Sequence, residues 1–485
     1  MLDLAARPRI AGLALCSLLL VPACKDGPAG EGDEAQGETV GDGDGEPPTG
    51  ECTVSVVDHS QSCADGCPIL SDLLVHCDDT AFGDRGLRVA PEPNADRLYF
   101  VTAGSNYAWF GALASDASGE LEVLPEGFTG KFIALAQDPA GAPFAAADQT
   151  QFGPTYAGGV VIRDLLDRSE ELVFDAPDRY LPLLDFEFDT QGRAHVWIKT
   201  VAPDERRRFV RAAAGGWTSE PAPAPGERRW KRFGLTSEDA PVAFGFVESP
   251  TNDWRLHVDE GAGAYSIGSS FGTRYPDAYA LAVPPTLPSL AVGEPRYLRF
   301  SQSMTGFRVV APTAEGYVER LIAKATAVEY DCPTEAAFKN GCPQSCEELA
   351  VGLLDRQVAV ARTSDGRIWA AWAVTHFDQT WVYTERCDEE VGCWCETSVS
   401  RDDNWGEIVL AQVDVENGGV VEVLRVDTLD PELTGASTRS DEVARTFDMR
   451  AFDDRLAIGQ RIRSVERGAL APDMRLLHID TSLIP

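Results

Sequence analysis

The sequence predicts an all-β fold, and three observations support this class. Short runs of alternating apolar and polar residues recur along the chain from about residue 87. The turns between them contain Asp and Gly, which readily adopt the backbone angles of tight hairpins. No long amphipathic helical pattern interrupts the runs, which disfavours parallel folds with crossover helices.

The clearest predicted hairpins lie at 132–146, 184–198 and 358–372, and weaker copies begin near Val89, Phe233, Leu281 and Phe447. Outer hairpins are predicted at 113–123 and 413–423. The turn residues Gly141 and Gly192 are about fifty residues apart, which is within the period of a propeller blade. This spacing favours a single β-propeller over a pair of β-sandwiches.

The repeats begin near residues 87, 131, 183, 231, 278, 357 and 444. They predict about seven four-stranded blades in 87–485, with six or eight blades also compatible with the sequence. We expect the last run, Met474 to Ile479, to pair with early strands and close the ring, since closure removes exposed sheet edges.

The first 23 residues have the pattern of an export signal. Arg7 and Arg9 precede an apolar run at 10–21, which is too short to cross roughly 30 Å of hydrocarbon comfortably as a helix. Residues 20–24, Leu-Val-Pro-Ala-Cys, resemble the lipobox of bacterial lipoproteins. The resemblance implies that Cys24 becomes the N-terminus and carries the lipid that anchors the protein. Because Pro22 departs from the usual small residue, ordinary cleavage and release is the alternative.

The segment 24–50 has the composition of a disordered tether. It is rich in Gly and contains eight acidic residues but only one basic residue, Lys25. With the lipobox, it predicts a protein of the cell envelope, anchored to the outer membrane on its periplasmic face or at the cell surface. The formal net charge of −35 disfavours nucleic acid as a partner. Two local basic runs, 206–208 and 228–232, are either solvated strand ends or parts of an anion site.

The remaining cysteines predict disulfide bonds, because an exported chain folds in an oxidising compartment. Cys16 leaves with the signal and Cys24 is the lipidation site, so ten of the twelve remain. They are Cys52, Cys63, Cys67, Cys77, Cys332, Cys342, Cys346, Cys387, Cys393 and Cys395. The first four lie in a Cys-rich N-terminal segment, 51–86, and the other six in insertions at about 331–356 and 384–405. Sequence alone leaves the pairing open, and zinc binding by the last three lacks the usual ligand spacing.

Leu-rich stretches follow both Cys-x-x-x-Cys motifs. The stretches at 69–74 and 349–354 have apolar residues at helical spacing. We expect short helices there, so that the N-terminal segment and the first insertion would be small disulfide-braced appendages beside the strands.

The sequence contains no recognisable catalytic or metal-binding motif. It lacks a Gly-x-Ser-x-Gly elbow, and its six histidines have no metal-ligand spacing. His195 and His257 are interpreted as packed or strand-face residues. We predict no cofactor and no metal site, although a structural calcium ion in an acidic turn stays open.

The strongest local cluster of possible binding residues is aromatic and lies between Trp369 and Trp405. We expect Trp369 and Trp372 to pack between blades. Aromatic rings next to carboxylates suit sugar or peptide recognition, which makes Trp381, Tyr383 and Trp405 the candidate binding residues.

Lipobox, acidic Gly-rich tether and divergent repeats together resemble uncharacterised propeller-type lipoproteins of predatory and social bacteria. The sequence thus predicts a lipid-anchored binding or scaffold protein that recognises a protein or a polysaccharide. The alternatives are a carbohydrate-active hydrolase or lyase that uses paired carboxylates in the propeller channel, and a structural envelope lipoprotein without a small-molecule ligand.

Overall fold

A computed structural model describes the strands and many of the turns of the compact unit Gly50–Pro485. The described residues are 52–57, 67–77, 86–93, 95–103, 108–124, 133–148, 158–176, 183–199, 206–222, 229–236, 238–248, 254–259, 264–270, 278–282, 289–297, 302–313, 316–324, 328–330, 345–388, 392–428, 447–463 and 472–484. The signal, Cys24 and the tether lie outside these residues. In the described part, no helix has the length and apolar character needed to cross a membrane.

The described strands form antiparallel groups of four that follow one another along the chain. Group 1 contains β3 (Leu87–Pro91), β4 (Arg97–Ala103), β5 (Ala108–Ala114) and β6 (Gly119–Leu124). Group 2 contains β7 (Ile133–Gln137), β8 (Pro143–Asp148), β9 (Gly158–Asp164) and β10 (Glu170–Ala176). Group 3 contains β11 (Leu183–Phe188), β12 (Ala194–Lys199), β13 (Arg206–Arg211) and β14 (Trp217–Pro221).

The later groups follow in the same chain order, but groups 5 and 6 belong to one nine-stranded sheet, joined by a pairing of Met304 with Leu354. Group 4 contains β15 (Arg229–Leu235), β16 (Pro241–Glu248), β17 (Trp254–Asp259) and β18 (Ala264–Ser270). Group 5 contains β19 (Ala278–Ala282), β20 (Ser289–Tyr297), β21 (Gln302–Thr313) and β22 (Gly316–Lys324). Group 6 contains β24 (Ser345–Arg362), β25 (Ile368–Asp388), β26 (Gly392–Asp414) and β27 (Gly419–Thr428), with the short β23 (Val328–Tyr330) beside β24.

Group 7 combines the two ends of the folded unit. It contains β28 (Phe447–Phe452), β29 (Arg455–Arg463) and β30 (Pro472–Asp480), followed by the N-terminal strands β2 (Ile69–Cys77) and β1 (Cys52–Val56). A short 3-10 helix, Thr481–Leu483, follows β30. The expected pairing of the last run with an early strand is confirmed, because Met474 faces Val75 and Ile479 faces Ile69.

The first strands of the groups adjoin one another in chain order. β3 contacts β7, β7 contacts β11, and the series continues through β15, β19 and β24 to β28, which contacts β3. Four-stranded antiparallel groups that adjoin through their first strands are the architecture of a β-propeller. Three predicted repeat starts coincide with first strands, since β3, β11 and β19 begin at Leu87, Leu183 and Ala278, whereas β24 begins at Ser345, twelve residues before the predicted start at 357.

Apolar side chains fill the space between neighbouring groups. Leu135 of group 2 belongs to one buried cluster with residues of group 1, and Phe186 of group 3 to another with residues of group 2. Trp369 of group 6 packs in a cluster with Phe447 of group 7, whereas Trp372 packs in one with Phe307 of group 5. The two tryptophans are almost fully buried on opposite faces of one sheet, as the sequence predicted.

The first hairpin of several groups has the same turn. Its fourth residue has a positive φ, as in Gly141 (89°), Gly192 (75°) and Gly366 (90°). Asp138 and Asp189 begin two of these turns and accept hydrogen bonds from backbone N–H groups inside them. The Asp and Gly residues therefore have the roles that turn chemistry predicts for them.

A buried ion pair links the two ends of the folded unit. Asp72 of β2 is 1% exposed, and Arg475 of β30 is equally buried. The Nη2 atom of Arg475 lies 2.5 Å from Oδ2 of Asp72, and its Nε atom lies 3.0 Å from Oδ1. Two hydrogen bonds thus reinforce the attraction of the charges at the junction of the N-terminal and C-terminal strands.

Two sequence predictions of local structure are wrong. The stretches 69–74 and 349–354, expected as short helices, lie in strands β2 and β24. The second half of the insertion 331–356 and most of 384–405 also form regular strands rather than irregular appendages. Helical spacing in a short apolar stretch is a weak signal, and pairing with a neighbouring strand overrides it.

Candidate functional site

Group 6 carries a β-arm that extends past the end of its outer strand. β24, β25 and β26 have 18, 21 and 23 residues, whereas the described strands of the other groups have 5 to 12. β27 pairs with β26 only as far as Gly406. We call residues 345–354, 375–388 and 392–405 the arm; at the usual rise per residue, its longest hairpin spans roughly 40 Å.

The arm has one edge that no described strand covers. Residues 392–405 of β26 pair with β25 on one side, and among the described strands none pairs with their other side. An exposed strand edge presents backbone donors and acceptors to any extended segment that approaches it. The arm is also acidic, since 375–405 contains eight acidic and two basic residues. Asp378 lies directly opposite Asp403 in the β25–β26 register.

The three predicted binding residues all lie on this arm. Tyr383 is 6% exposed, so its ring belongs to the interior rather than to the surface. Trp381 and Trp405 lie on β25 and β26, where they face Val399 and His376; their side chains lie outside the described residues. A recognition role for Trp381 and Trp405 stays a prediction.

The predicted disulfide framework is described only at three cysteines. Cys52, Cys67 and Cys387 are disulfide-bonded. Cys387 lies directly opposite Cys393 near the tip of the arm, and Cys52 lies opposite Cys77 between β1 and β2. The full pairing of the ten cysteines stays a prediction.

A second candidate site lies on the first strand of group 3. Asp185 and Glu187 alternate with the buried Phe186 and Phe188, so the carboxylates share the opposite face of β11. Asp185 is 6% exposed and Glu187 is 2% exposed. The sequence analysis left paired carboxylates without a location; the signal it missed is this alternation of acids with phenylalanines inside an inner strand.

Both carboxylates bond to the backbone of the next group. Oδ2 of Asp185 accepts the N–H of Phe233 at 2.8 Å, and Oε2 of Glu187 accepts the N–H of Leu235 at 3.1 Å. Asp448 of β28 repeats this contact, because its Oδ2 accepts the N–H of Val89 at 3.0 Å. These bonds tie the first strands of adjacent groups together. The other oxygen of Glu187, Oε1, is buried and has no hydrogen-bond partner among the described residues.

Arginines from three other groups surround the carboxylate pair. Arg232 of β15 lies 3.1 Å from Oδ1 of Asp185. Arg450 of β28 and Arg88 of β3 are also buried and close enough to act electrostatically on Asp185. Four first strands thus contribute charges to one cluster, which we call the inner-strand cluster.

Burial dominates the protonation of the two carboxyls. It raises the pKa of Asp185, although Arg232 and the other positive charges oppose the change. Burial raises the pKa of Glu187 well above its usual range, and the negative charge of Asp185 raises it further. Glu187 is therefore the carboxyl that favours the protonated state, with Asp185 as its more strongly charge-compensated neighbour. A protonated carboxyl beside an ionised one can perform acid–base chemistry, or it can simply stabilise the packing.

The two described buried histidines are packed residues. The Nε2 atom of His195 lies 3.2 Å from Oδ2 of Asp189, and burial lowers the pKa of His195. Burial lowers the pKa of His478 to about 4, with a smaller contribution from Arg455. The interpretation of His195 as packed is confirmed, whereas the side chain of His257 lies outside the described residues.

The two basic runs have separate local partners. Arg208 on β13 lies 2.5 Å from Glu220 of β14, whereas Arg232 on β15 pairs with Asp185. Among the side chains that the structure describes, the runs do not form a joint anion site. Nor does that part of the chain contain a cluster of His, Cys, Asp and Glu able to hold a metal ion.

No known protein family matches the sequence, and no curated protein matches it either. A comparison with solved structures finds proteins with a weakly similar backbone and low sequence identity. The β-propeller domain of the Trilobed protease from Pyrococcus furiosus has a TM-score of 0.38 at 7% identity and covers 82% of this chain and 96% of its own. TolB from Acinetobacter baumannii has a TM-score of 0.34 at 10% identity, covering 56% of this chain and 64% of its own. An ancestral GH74 enzyme has a TM-score of 0.35 at 9% identity, with coverages of 83% and 89%. The propeller architecture follows from the sheet order and the strand contacts, and these similarities assign no function.

Proposed function

We propose that the protein is a lipid-anchored, extracytoplasmic binding or scaffold protein built on a closed propeller of seven blades, and that its arm recognises a protein partner. Groups 1 to 7 would be the blades. The lipobox with Cys24 and the acidic tether support the anchor, since two or more acyl chains hold a protein stably on a membrane.

The edge of 392–405, which none of the described strands covers, is the observation that carries the binding proposal. An extended peptide can add to such an edge through backbone hydrogen bonds, while side chains supply the specificity. The acidic surplus of the arm favours a basic segment, because opposite charges attract across a rim and like charges repel. Asp403 lies on the edge strand β26, and Asp378 of β25 lies opposite it in the register, so these two acids are the positions to test with a basic peptide.

A peptide titration tests the arm. We would titrate the full chain in detergent with a fluorescent decapeptide of alternating Lys and Val, and with the matching Glu and Val peptide. The proposal predicts saturable binding of the Lys peptide alone, and weaker binding to the double variant Asp378→Asn, Asp403→Asn. Glu422→Gln, on the exposed part of β27 outside the arm, should bind as the unmodified protein does. Equal binding by all variants would exclude the arm, and a positive polysaccharide array would redirect the proposal to a glycan.

A separate fractionation experiment tests the anchor. We expect Cys24→Ala to move the protein from the membrane fraction to the soluble fraction of the envelope, because it removes the acylated thiol. An unchanged distribution would instead support ordinary cleavage and release.

The inner-strand cluster favours a second candidate function, a carbohydrate-active hydrolase or lyase. Two buried carboxyls with different charge compensation are the arrangement that such acid–base chemistry uses. Release of reducing ends from polysaccharides measures this activity. Loss of turnover in both Asp185→Asn and Glu187→Gln, with the fold retained, would support it; absence of turnover from a broad polysaccharide panel would leave the cluster with a structural role.

A further inference from the structure

We propose that a groove between groups 2 and 3 binds a small neutral ligand rich in hydroxyl groups, of the size of a monosaccharide. The groove is separate from the arm and from the inner-strand cluster. Its cavity volume is about 290 Å³, at the lower end of the range for small-molecule sites. Strands β8, β9 and β10 form one wall, and residues of β11 to β14 form the other.

Aromatic side chains form the apolar part of the groove. Phe144 of group 2 and Phe188 of group 3 lie with their ring centroids 4.9 Å apart, and Trp217 of β14 completes the lining. Such rings pack against the apolar C–H faces of a sugar, which a purely polar site would leave in contact with water. The Nε1–H donor of Trp217 is buried and has no hydrogen-bond partner within the described residues. Because this N–H has almost no exposed surface, the indole contributes apolar surface to the groove rather than an accessible donor.

Two of the three acids that line the groove are paired with arginines, so most of its negative charge is already compensated. Glu171 of β10 and Arg211 of β13 form an ion pair at 2.8 Å that spans the two groups. Both side chains are partly exposed, at 31% and 46%. Glu170 bonds to Arg163 at 2.7 Å, so its charge is compensated as well. A carboxylate that accepts and a guanidinium that donates suit neighbouring hydroxyls, which do both.

The ligand class follows from combining these features. An anion would lie next to Asp164, Glu170 and Glu171 in the same groove, and negative charges at such short distances repel one another. A hydrocarbon would leave the Glu171–Arg211 pair partly desolvated without new hydrogen bonds. A hydroxyl-rich ring with one apolar face satisfies both halves of the groove.

Isothermal titration calorimetry on the full chain in detergent tests this site. The probes are methyl β-D-glucopyranoside, methyl β-D-galactopyranoside, methyl α-D-mannopyranoside and N-acetyl-D-glucosamine, each taken to about 10 mM, ten times a Kd of about 1 mM. We expect at least one probe to bind and Glu171→Gln to weaken it about tenfold or more. Trp217→Phe keeps an aromatic ring, so it should weaken binding less than Trp217→Ala does.

Two controls separate this proposal from loss of folding and from the function of the arm. Glu120→Gln changes an exposed acid on group 1 and should leave sugar binding unchanged, as should the arm variant Asp378→Asn, Asp403→Asn. Circular dichroism should give the same spectrum for every variant. No heat with any of the four probes, or equal binding by Glu171→Gln and the unmodified protein, would overturn the proposal, whatever the arm binds.

Discussion

Replacing Asp72 by Asn removes one charge of the buried pair that joins β2 to β30. The substitution keeps the size of the side chain, so the change in stability reports the lost charge and hydrogen bonds rather than a cavity. Arg475 is 1% exposed and would keep its positive charge after losing the carboxylate of this ion pair.

The expected loss is large for one residue. Breaking a buried ion pair by removing one partner costs about 3–5 kcal/mol, mainly because the remaining charge stays desolvated. With an unfolding entropy of about 2.1 cal/mol/K per residue over Gly50–Pro485, a loss of about 4 kcal/mol lowers Tm by roughly 4–5 °C. Both numbers assume one cooperative transition, which coincident fluorescence and circular dichroism curves would verify.

Urea unfolding of the full chain in detergent measures the loss directly. We expect Asp72→Asn to shift the midpoint without a large change in the m-value. The double variant Asp72→Leu, Arg475→Met replaces both charges by apolar groups and should recover most of the lost stability. A single variant within about 1 kcal/mol of the unmodified protein, or a double variant as unstable as the single one, would refute the reasoning.

Three further predictions concern other parts of the molecule. Because burial raises the pKa of Glu187 well above its ordinary 4.5, the folded state keeps a proton that the unfolded chain releases. As the pH rises above 4.5 towards the raised pKa of the folded state, stability should therefore fall relative to Glu187→Gln by up to about 1.4 kcal/mol per pH unit; parallel stability curves would contradict this. Non-reducing peptide mapping should join Cys387 to Cys393, since opposite residues of an antiparallel pair have a Cα separation that a disulfide can bridge; a peptide that joins Cys387 to another cysteine would disprove it. Gly141→Ala should lower the free energy of unfolding, measured in urea, by about 2 kcal/mol or more, because φ is 89° and the new Cβ would lie 1.9 Å from Pro93 Cγ. Gly216→Ala is the control, since Gly216 has a similar φ of 80° but open space around it. An equal loss of stability in both variants would remove the steric part of the explanation.

The sequence identified some of the important residues and missed others. Trp369 and Trp372 were recognisable as packed residues because apolar neighbours surround them in the sequence. Asp185 and Glu187 were not recognisable as a site, since the chain has 77 acidic residues and only the packing shows which ones are buried. The arginines that act on them come from β3, β15 and β28, which lie far apart in the sequence.

Local patterns determined the class of the fold and its repeat. Alternation of side chains specifies a strand over a few residues, and the Asp and Gly turns specify where it reverses, so the hairpins and most of their starting points follow from short-range chemistry. The sequence likewise determined the candidate lipidation site at Cys24, which depends on a short linear motif. Tertiary structure alone decided that β2 pairs with β30, that 349–354 is a strand, and that no strand in the described part of the chain covers the edge of 392–405. Each of these depends on which distant segments meet, because a backbone group takes the hydrogen-bond partner that packing brings to it.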